Sequence, residues 1–173
     1  VYHFLLQHPN LHAVHGNTCE WRVQDELPPA LSIRLNGLRV AVTHGWGDRP
    51  GTPARVAQAL GPDHDLVCYG HTHAPDWSEH SKTRLLNPGS LQKSSPSLAL
   101  LRIEEGGEPV CEFGKEPAHL VFKCPGRIDD DEPVTDKAGL WIFARPPHFE
   151  AQSGAGQGGQ RGPRFIDLVL ALD

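Results

Sequence analysis

Two stretches of the chain alternate apolar and polar positions with period two, Leu31-Ser-Ile-Arg-Leu35 and Leu38-Arg-Val-Ala-Val-Thr43, and Asn36-Gly37 stands between them. Alternation of that period puts one face of a strand toward a core, and Asn-Gly is the strongest short signal for a two-residue hairpin turn. The second of these strands delivers Thr43-His44-Gly45 at its tip. Next, Thr52-Pro-Ala-Arg-Val-Ala-Gln-Ala-Leu60 carries a helix start, with Thr52 as N-cap and Pro53 at the first helical position, and Gly61 as the stop. Asp65-Leu-Val-Cys-Tyr69 is a continuous apolar run that predicts a buried strand ending at Gly70-His71-Thr72-His73. Upstream, Val1, Phe4 and Leu5 read as the end of a helix, and Asn10 to Val14 as a short strand running into His15-Gly16-Asn17. Downstream, Thr83–Asn87, Ser97–Glu104 and Pro109–Phe113 read as strands joined by Gly and Pro turns, which suggests an antiparallel closing edge.

Strand, helix, strand with polar residues at the strand ends is an α/β arrangement, and open α/β sheets bind ligands outside the carboxyl ends of their strands. Three strand ends, near residues 17, 44 and 71, are therefore expected to converge on one crevice. The periodic signal fades near Lys115, so residues 1–115 are taken as the domain and 116–173 as a mostly irregular tail. That tail holds Asp129-Asp-Asp-Glu132, which reads as a solvated loop, a Pro pair at 146–147, and a Gly/Gln-rich stretch from Gln152 to Gly162. Its last apolar piece, Phe165 to Leu172, is long enough for a helix or a strand.

Composition narrows the classes of function. With 173 residues one domain is the starting expectation. The formal net charge of -5 argues against stable nucleic-acid binding through phosphate contacts. No apolar run approaches the ~20 residues that span a bilayer, and no membrane partner is expected. Four Cys without a Cys-x-x-Cys pair or a disulfide framework fit a reducing compartment, so a cytoplasmic location is expected. The chain contains no Met, and Val1 is read as lying downstream of the natural start. Eleven His in this length raise the expectation of a metal site.

The segment Gly70-His71-Thr72-His73 sharpens it. Two imidazoles at i and i+2 on an extended or turning backbone project to the same side and can reach two metals held close together. Alone, His-x-His arises by chance in a chain so rich in His. Its neighbours change that: Gly16-Asn17, then Val42-Thr43-His44-Gly45, then Gly70-His71-Thr72-His73, then Asn87-Pro88-Gly89-Ser90. This ordered set resembles the calcineurin-like metallophosphoesterases, in their small bacterial and archaeal phosphodiesterase branch, over roughly residues 1–114. The resemblance implies an α/β fold, the metallophosphoesterase-type αββα sandwich, and hydrolysis of a small phosphodiester by a water activated between two divalent ions. By it Asn17, His44 and His71 would bind the second metal and His73 the first, with His44, His71 and His73 in the catalytic set. Asn87 to Ser90 would be a tight turn beside the site. The metal would be Mn2+, with Zn2+, Ni2+ or Mg2+ as alternatives.

The chain also departs from that pattern. The family opens with a strand ending in Asp-x-His and a second ending in Gly-Asp; neither precedes Asn17, so the sandwich is expected to lack its first strands. Gly47-Asp48 follows His44 instead and reads as loop. The second metal keeps three candidate ligands and the first only His73, which leaves open whether this chain is active. Where many relatives carry a general-acid His, the run here is Asn17-Thr-Cys-Glu-Trp21, with Thr18 as an insertion or substitution and Cys19 as a half-buried thiol. His64, His80, His119 and His148 read as solvated, with His80, Asp76 and Trp77 as candidates to border the cleft. Two other readings stay open: a non-catalytic protein-binding scaffold, the role this fold has in a retromer subunit resembling this branch, and one structural zinc on His44, His71 and His73. Loss of internal strands would leave unpaired edges, so self-association into a homo-oligomer is expected.

Overall fold

A computed structural model of the protein describes residues 11–90, 97–104, 106–114, 139–144 and 165–172. The helix expected before Asn10, together with His119, His148 and the acidic run 129–132, lies outside the described residues.

The period-two segments fold as the hairpin the pattern predicts, β2 (Ala30–Leu35) and β3 (Leu38–Thr43), with Leu35 paired to Leu38. Asn36 and Gly37 take φ of 46° and 92°, the two positive values that a type I′ turn requires and that only Asn, Asp and Gly adopt readily. The Asn36 side-chain amide also donates to Ile103 O at 2.8 Å, tying the hairpin tip to the opposite sheet.

After β3 comes helix α2 (Thr52–Leu60), following a short helix α1 (Trp21–Glu26) earlier in the chain. The sequence reading did not anticipate α1, which buries no residue and so carries no apolar period. The start of α2 differs from expectation as well. Thr52 is not its N-cap: Gly51 holds that place, and the Thr52 hydroxyl donates to Asp48 O at 2.9 Å. The Asp48 carboxylate instead accepts from Gly51 N at 2.9 Å and pairs with Arg55 at 2.6 Å.

Strand β4 (Leu66–Tyr69) lies parallel to β3, and β6 (Thr83–Asn87) lies parallel to β4 on its other side. The strand at 83–87 is therefore central rather than part of an antiparallel closing edge. Its antiparallel neighbour is β5 (Asp76–His80), whose sequence Asp-Trp-Ser-Glu-His has one apolar side chain and gave no strand signal. These make the sheet β2-β3-β4-β6-β5.

The second sheet has the order β1-β9-β10-β7-β8, all antiparallel, built from β1 (Leu11–His15), β7 (Leu98–Glu104), β8 (Val110–Gly114), β9 (Gly139–Ala144) and β10 (Phe165–Leu172). No strand was expected at 139–144. Both β9 and β10 fall in the segment read as an irregular tail, and they bridge β1 to β7, which do not pair with each other.

The main core fills the space between the sheets: Val14, Leu35, Val40, Val42, Leu66, Cys68 and Leu86 meet Ala99, Leu101 and Ile103. On the other face of the first sheet, Ala41, Val67, Tyr69 and Leu85 pack on Val56 and Ala57 of α2. Strand β4 is thus covered on both faces, which is why it reads as an unbroken apolar run while β2, covered on one, alternates. Each buried Leu or Val removed from water contributes about 1.5–3 kcal/mol. The layers run helix, sheet, sheet. No helix among the described residues is long and apolar enough to cross a membrane.

Candidate metal centre

Three strand ends meet as expected. Strand β1 runs into Asn17, β3 into His44 and β4 into His71. The His44 ring Nε2 lies 2.9 Å from Asn17 Oδ1, and the His44 and His71 rings stand edge to face with centroids 5.4 Å apart. The backbones are tied together by Gly70 N donating to His44 O at 3.0 Å. His15 N donates to Pro28 O at 3.1 Å and Thr43 Oγ1 to Pro29 O at 3.2 Å, which holds the ends of β1 and β3 against one connecting segment.

The histidine loop is left-handed. His71 and His73 have φ of 69° and 57°, a region that costs non-glycine residues about 1–3 kcal/mol each and persists only where the surroundings enforce it. Asn87 supplies that enforcement. It is fully buried, its amide NH2 donates to Gly70 O and to Thr72 Oγ1, each at 3.0 Å, and its Oδ1 accepts from Gly89 N at 2.9 Å. Gly45 makes the close approach possible: at φ +88° it sits where a Cβ would come within 2.9 Å of Thr52 Cγ2 and 3.4 Å of His71 Cβ.

Protonation follows from the partners. His71 Nε2 faces Gly47 O at 2.7 Å, an acceptor only, so this nitrogen carries the hydrogen and the lone pair stays on Nδ1. The amide oxygen of Asn17 does the same for His44, leaving a lone pair on Nδ1. That atom is buried without a hydrogen-bond partner, in a residue only 4% exposed. Burial lowers the His44 pKa from 6.5 to about 4, with the nearby His71, His73 and His15 adding to the effect. The imidazole is therefore neutral at neutral pH, the form that ligates metals. His15, which the sequence reading passed over, belongs to this cluster through its field on His44; only the His-rich run at 12–15 hints at it.

A pH prediction follows. The folded pKa of His44 lies below its unfolded value, so between 6.5 and about 4 the unfolded chain takes up a proton that the folded chain refuses. Metal-free protein should hold its stability above pH 6.5 and lose on the order of 3 kcal/mol as pH falls through that window. Urea midpoints at pH 7.5 and 4.5 for wild type and His44→Gln would check it; an equal drop in both would assign the loss elsewhere.

The donor set suits one divalent ion and not two. Asn17, His44 and His71 cluster, and a 2.9 Å spacing is also that of neighbouring donors on one ion with bonds of about 2.1 Å, reached by His44 through Nε2 in its other tautomer. For the first metal only His73 is at hand, and among the described residues no group of three or more His, Cys, Asp or Glu could hold an ion. Asp48 is committed to Arg55 and Gly51, in keeping with its reading as loop. Asp76 accepts from Tyr69 OH at 2.6 Å and Ser78 Oγ at 2.9 Å, while Trp77 packs on the inter-sheet core beneath Arg84. His64 is bonded rather than solvated, with Nδ1 to Leu60 O at 2.7 Å and Nε2 to Ser32 Oγ at 2.8 Å. Cys19 is buried, its Sγ accepting from Gly16 N at 3.1 Å. A cavity of about 660 Å3, lined by Arg39, His64, His80 and Lys82 among others, opens at the amino ends of β3, β4 and β6, the opposite end from His44 and His71.

A sequence profile of the calcineurin-like phosphoesterase superfamily domain matches residues 2–106, more than half of the chain. No curated protein matches. Among solved structures, the Thermotoga maritima protein TM1076 is 31% identical, with a TM-score of 0.47 over 60% of this chain and 64% of that one. A novel archaeal phosphodiesterase is 22% identical, with a TM-score of 0.44 over 57% and 65%. Vps29 from Entamoeba histolytica, in a complex with zinc, is 26% identical, with a TM-score of 0.41 over 58% and 66%. The chain thus spans somewhat less than two thirds of the length of these relatives.

Proposed function

This chain belongs to the calcineurin-like phosphoesterase superfamily, and on that premise we propose that it hydrolyses small phosphodiesters at the Asn17, His44, His71 and His73 cluster. His44 and His71, with Asn17, would hold one divalent ion, Mn2+ by expectation with Zn2+, Ni2+ or Mg2+ as alternatives; toward the family's other ion His73 is the one candidate donor among the described residues. A bound ion offsets charge on the phosphoryl oxygens and makes hydroxide available near neutrality. The chain's own part is to keep His44 neutral beside Asn17 and to hold His71 by Gly47 O. In the reaction a water oxygen attacks phosphorus, the ester P–O bond breaks, and the leaving oxygen takes a proton from solvent, giving a monoester and an alcohol. The observation that carries the reading is His44 Nε2 and Asn17 Oδ1 standing 2.9 Å apart beside the His71 ring. A cytoplasmic setting fits Cys19, Cys68 and Cys111, which form no disulfide among the described residues.

A second reading, a protein-binding scaffold on the same fold, is favoured by the lack of any carboxylate in the donor set. Hydrolysis of bis-p-nitrophenyl phosphate with added Mn2+ separates them. Turnover that disappears in His71→Ala and in His73→Ala is the expected result. Retained Mn2+ binding with no turnover in wild type would move the assignment to the scaffold.

A further inference from the structure

We propose that Asp76 is the positioning residue of the histidine loop: gripped by the Tyr69 hydroxyl, it fixes the segment that carries His71 and His73 and so sets how tightly the site holds an ion. The inference rests on the reading of that cluster as a metal site and deepens it, because it names a residue that acts on the donors without being one.

The loop is longer than its path requires. Residues 70–75 leave β4 at Tyr69 and enter β5 at Asp76, crossing the end of β6, which lies between those two strands. Two strand spacings come to roughly 10 Å, whereas six extended residues reach about 20 Å. A segment with that slack does not settle into one conformation unaided, least of all with left-handed backbone at His71 and His73. It has to be tied at both ends.

The register of the sheet provides the tie. Cys68 pairs with Leu86 and Asp76 with Asn87, so Tyr69, Asn87 and Asp76 stand in one row across the ends of β4, β6 and β5. Tyr69 is 1% exposed, and its hydroxyl donates to Asp76 Oδ2 at 2.6 Å, the length of a charge-assisted bond. Ser78 Oγ donates to the same oxygen at 2.9 Å. The last residue of β4 and the first of β5 are thereby clasped together across β6. Asn87, between them, holds the outgoing limb through Gly70 O and Thr72 Oγ1. Within the loop, Thr72 N donates to Gly70 O at 2.7 Å and Ala74 N to Thr72 Oγ1 at 3.3 Å, so the two limbs are connected and a slack return limb would loosen both. Both donors to Asp76 are hydroxyls, so the clasp needs an acceptor oxygen at that place and not a charge.

The test is amide hydrogen exchange at Thr72 and Ala74 in the metal-free protein, together with Mn2+ titration, for wild type, Tyr69→Phe, Asp76→Ala, Asp76→Asn and Ser78→Ala. In Tyr69→Phe and Asp76→Ala the two amides should exchange faster and Mn2+ should bind more weakly, each by about tenfold. Asp76→Asn, whose amide oxygen accepts the same hydroxyls, should stay near wild type in both readouts. Ser78→Ala should as well, since it removes one bond to Asp76 and leaves the clasp closed. Unchanged exchange in Tyr69→Phe, damage in Asp76→Asn equal to that in Asp76→Ala, or faster exchange with unaltered Mn2+ affinity would overturn the inference. Failure of the metal reading looks different: wild type takes up no Mn2+, while exchange at Thr72 and Ala74 keeps its dependence on Tyr69 and Asp76.

Discussion

Mn2+ binding is expected to weaken by at least ~100-fold in His44→Ala and in His71→Ala, because loss of a group that merely orients a ligand already costs 10- to 100-fold. His44 has two reasons to matter. Its Nε2 stands 2.9 Å from Asn17 Oδ1, the spacing of two donors on one ion, and its neutral ring needs no proton displaced before an ion binds. Asn17→Ala, which removes the neutral amide-oxygen donor and leaves both imidazoles, should fall in the smaller range of about 10- to 100-fold. Electron paramagnetic resonance titration of free Mn2+ reads all three. Equal affinity in wild type and His44→Ala would remove this residue from the site and leave its burial as packing.

The second large effect belongs to a residue that touches no ligand. Asn87→Ala should cost roughly 2–4 kcal/mol in urea unfolding, since it leaves Gly70 O, Thr72 Oγ1 and Gly89 N without the partner they have now. It should also release the left-handed backbone at His71 and His73, whose conformation is held against its own preference. Metal affinity and stability should therefore drop together. A variant that loses less than about 1 kcal/mol and binds Mn2+ normally would show that the turn holds its shape unaided.

Much of this site is legible in the sequence because its signals are local. Asn36-Gly37 specifies a turn by φ alone, and Asn17, His44 and His71 are placed by strand ends that the apolar pattern locates. The parts that escaped are those decided by partners distant in sequence. Strand β5 has one apolar residue and exists because β6 offers it hydrogen bonds. The N-cap expected at Thr52 was displaced because Asp48, four residues earlier, occupies the donors there. His64 looked solvated in a Pro/Asp turn, yet Ser32, far away in the chain, binds its ring. The role of Asn87 as a brace required knowing that β6 lies beside β4.

The pairing of β1 with β9, which sets Leu11 opposite Phe143, has a consequence for how the chain is made. The sheet containing the hairpin β2-β3 is assembled from residues 30–87, contiguous in sequence, and its closures are short-range. The other sheet cannot join β1 to β7 until β9 and then β10 have been synthesised. At about 5–20 residues per second, translation would leave β1 without its neighbour β9 for several seconds or longer. The nascent chain should be a chaperone client during that interval, and emergence of β10, rather than any step in the first sheet, should mark the point at which it stops being one.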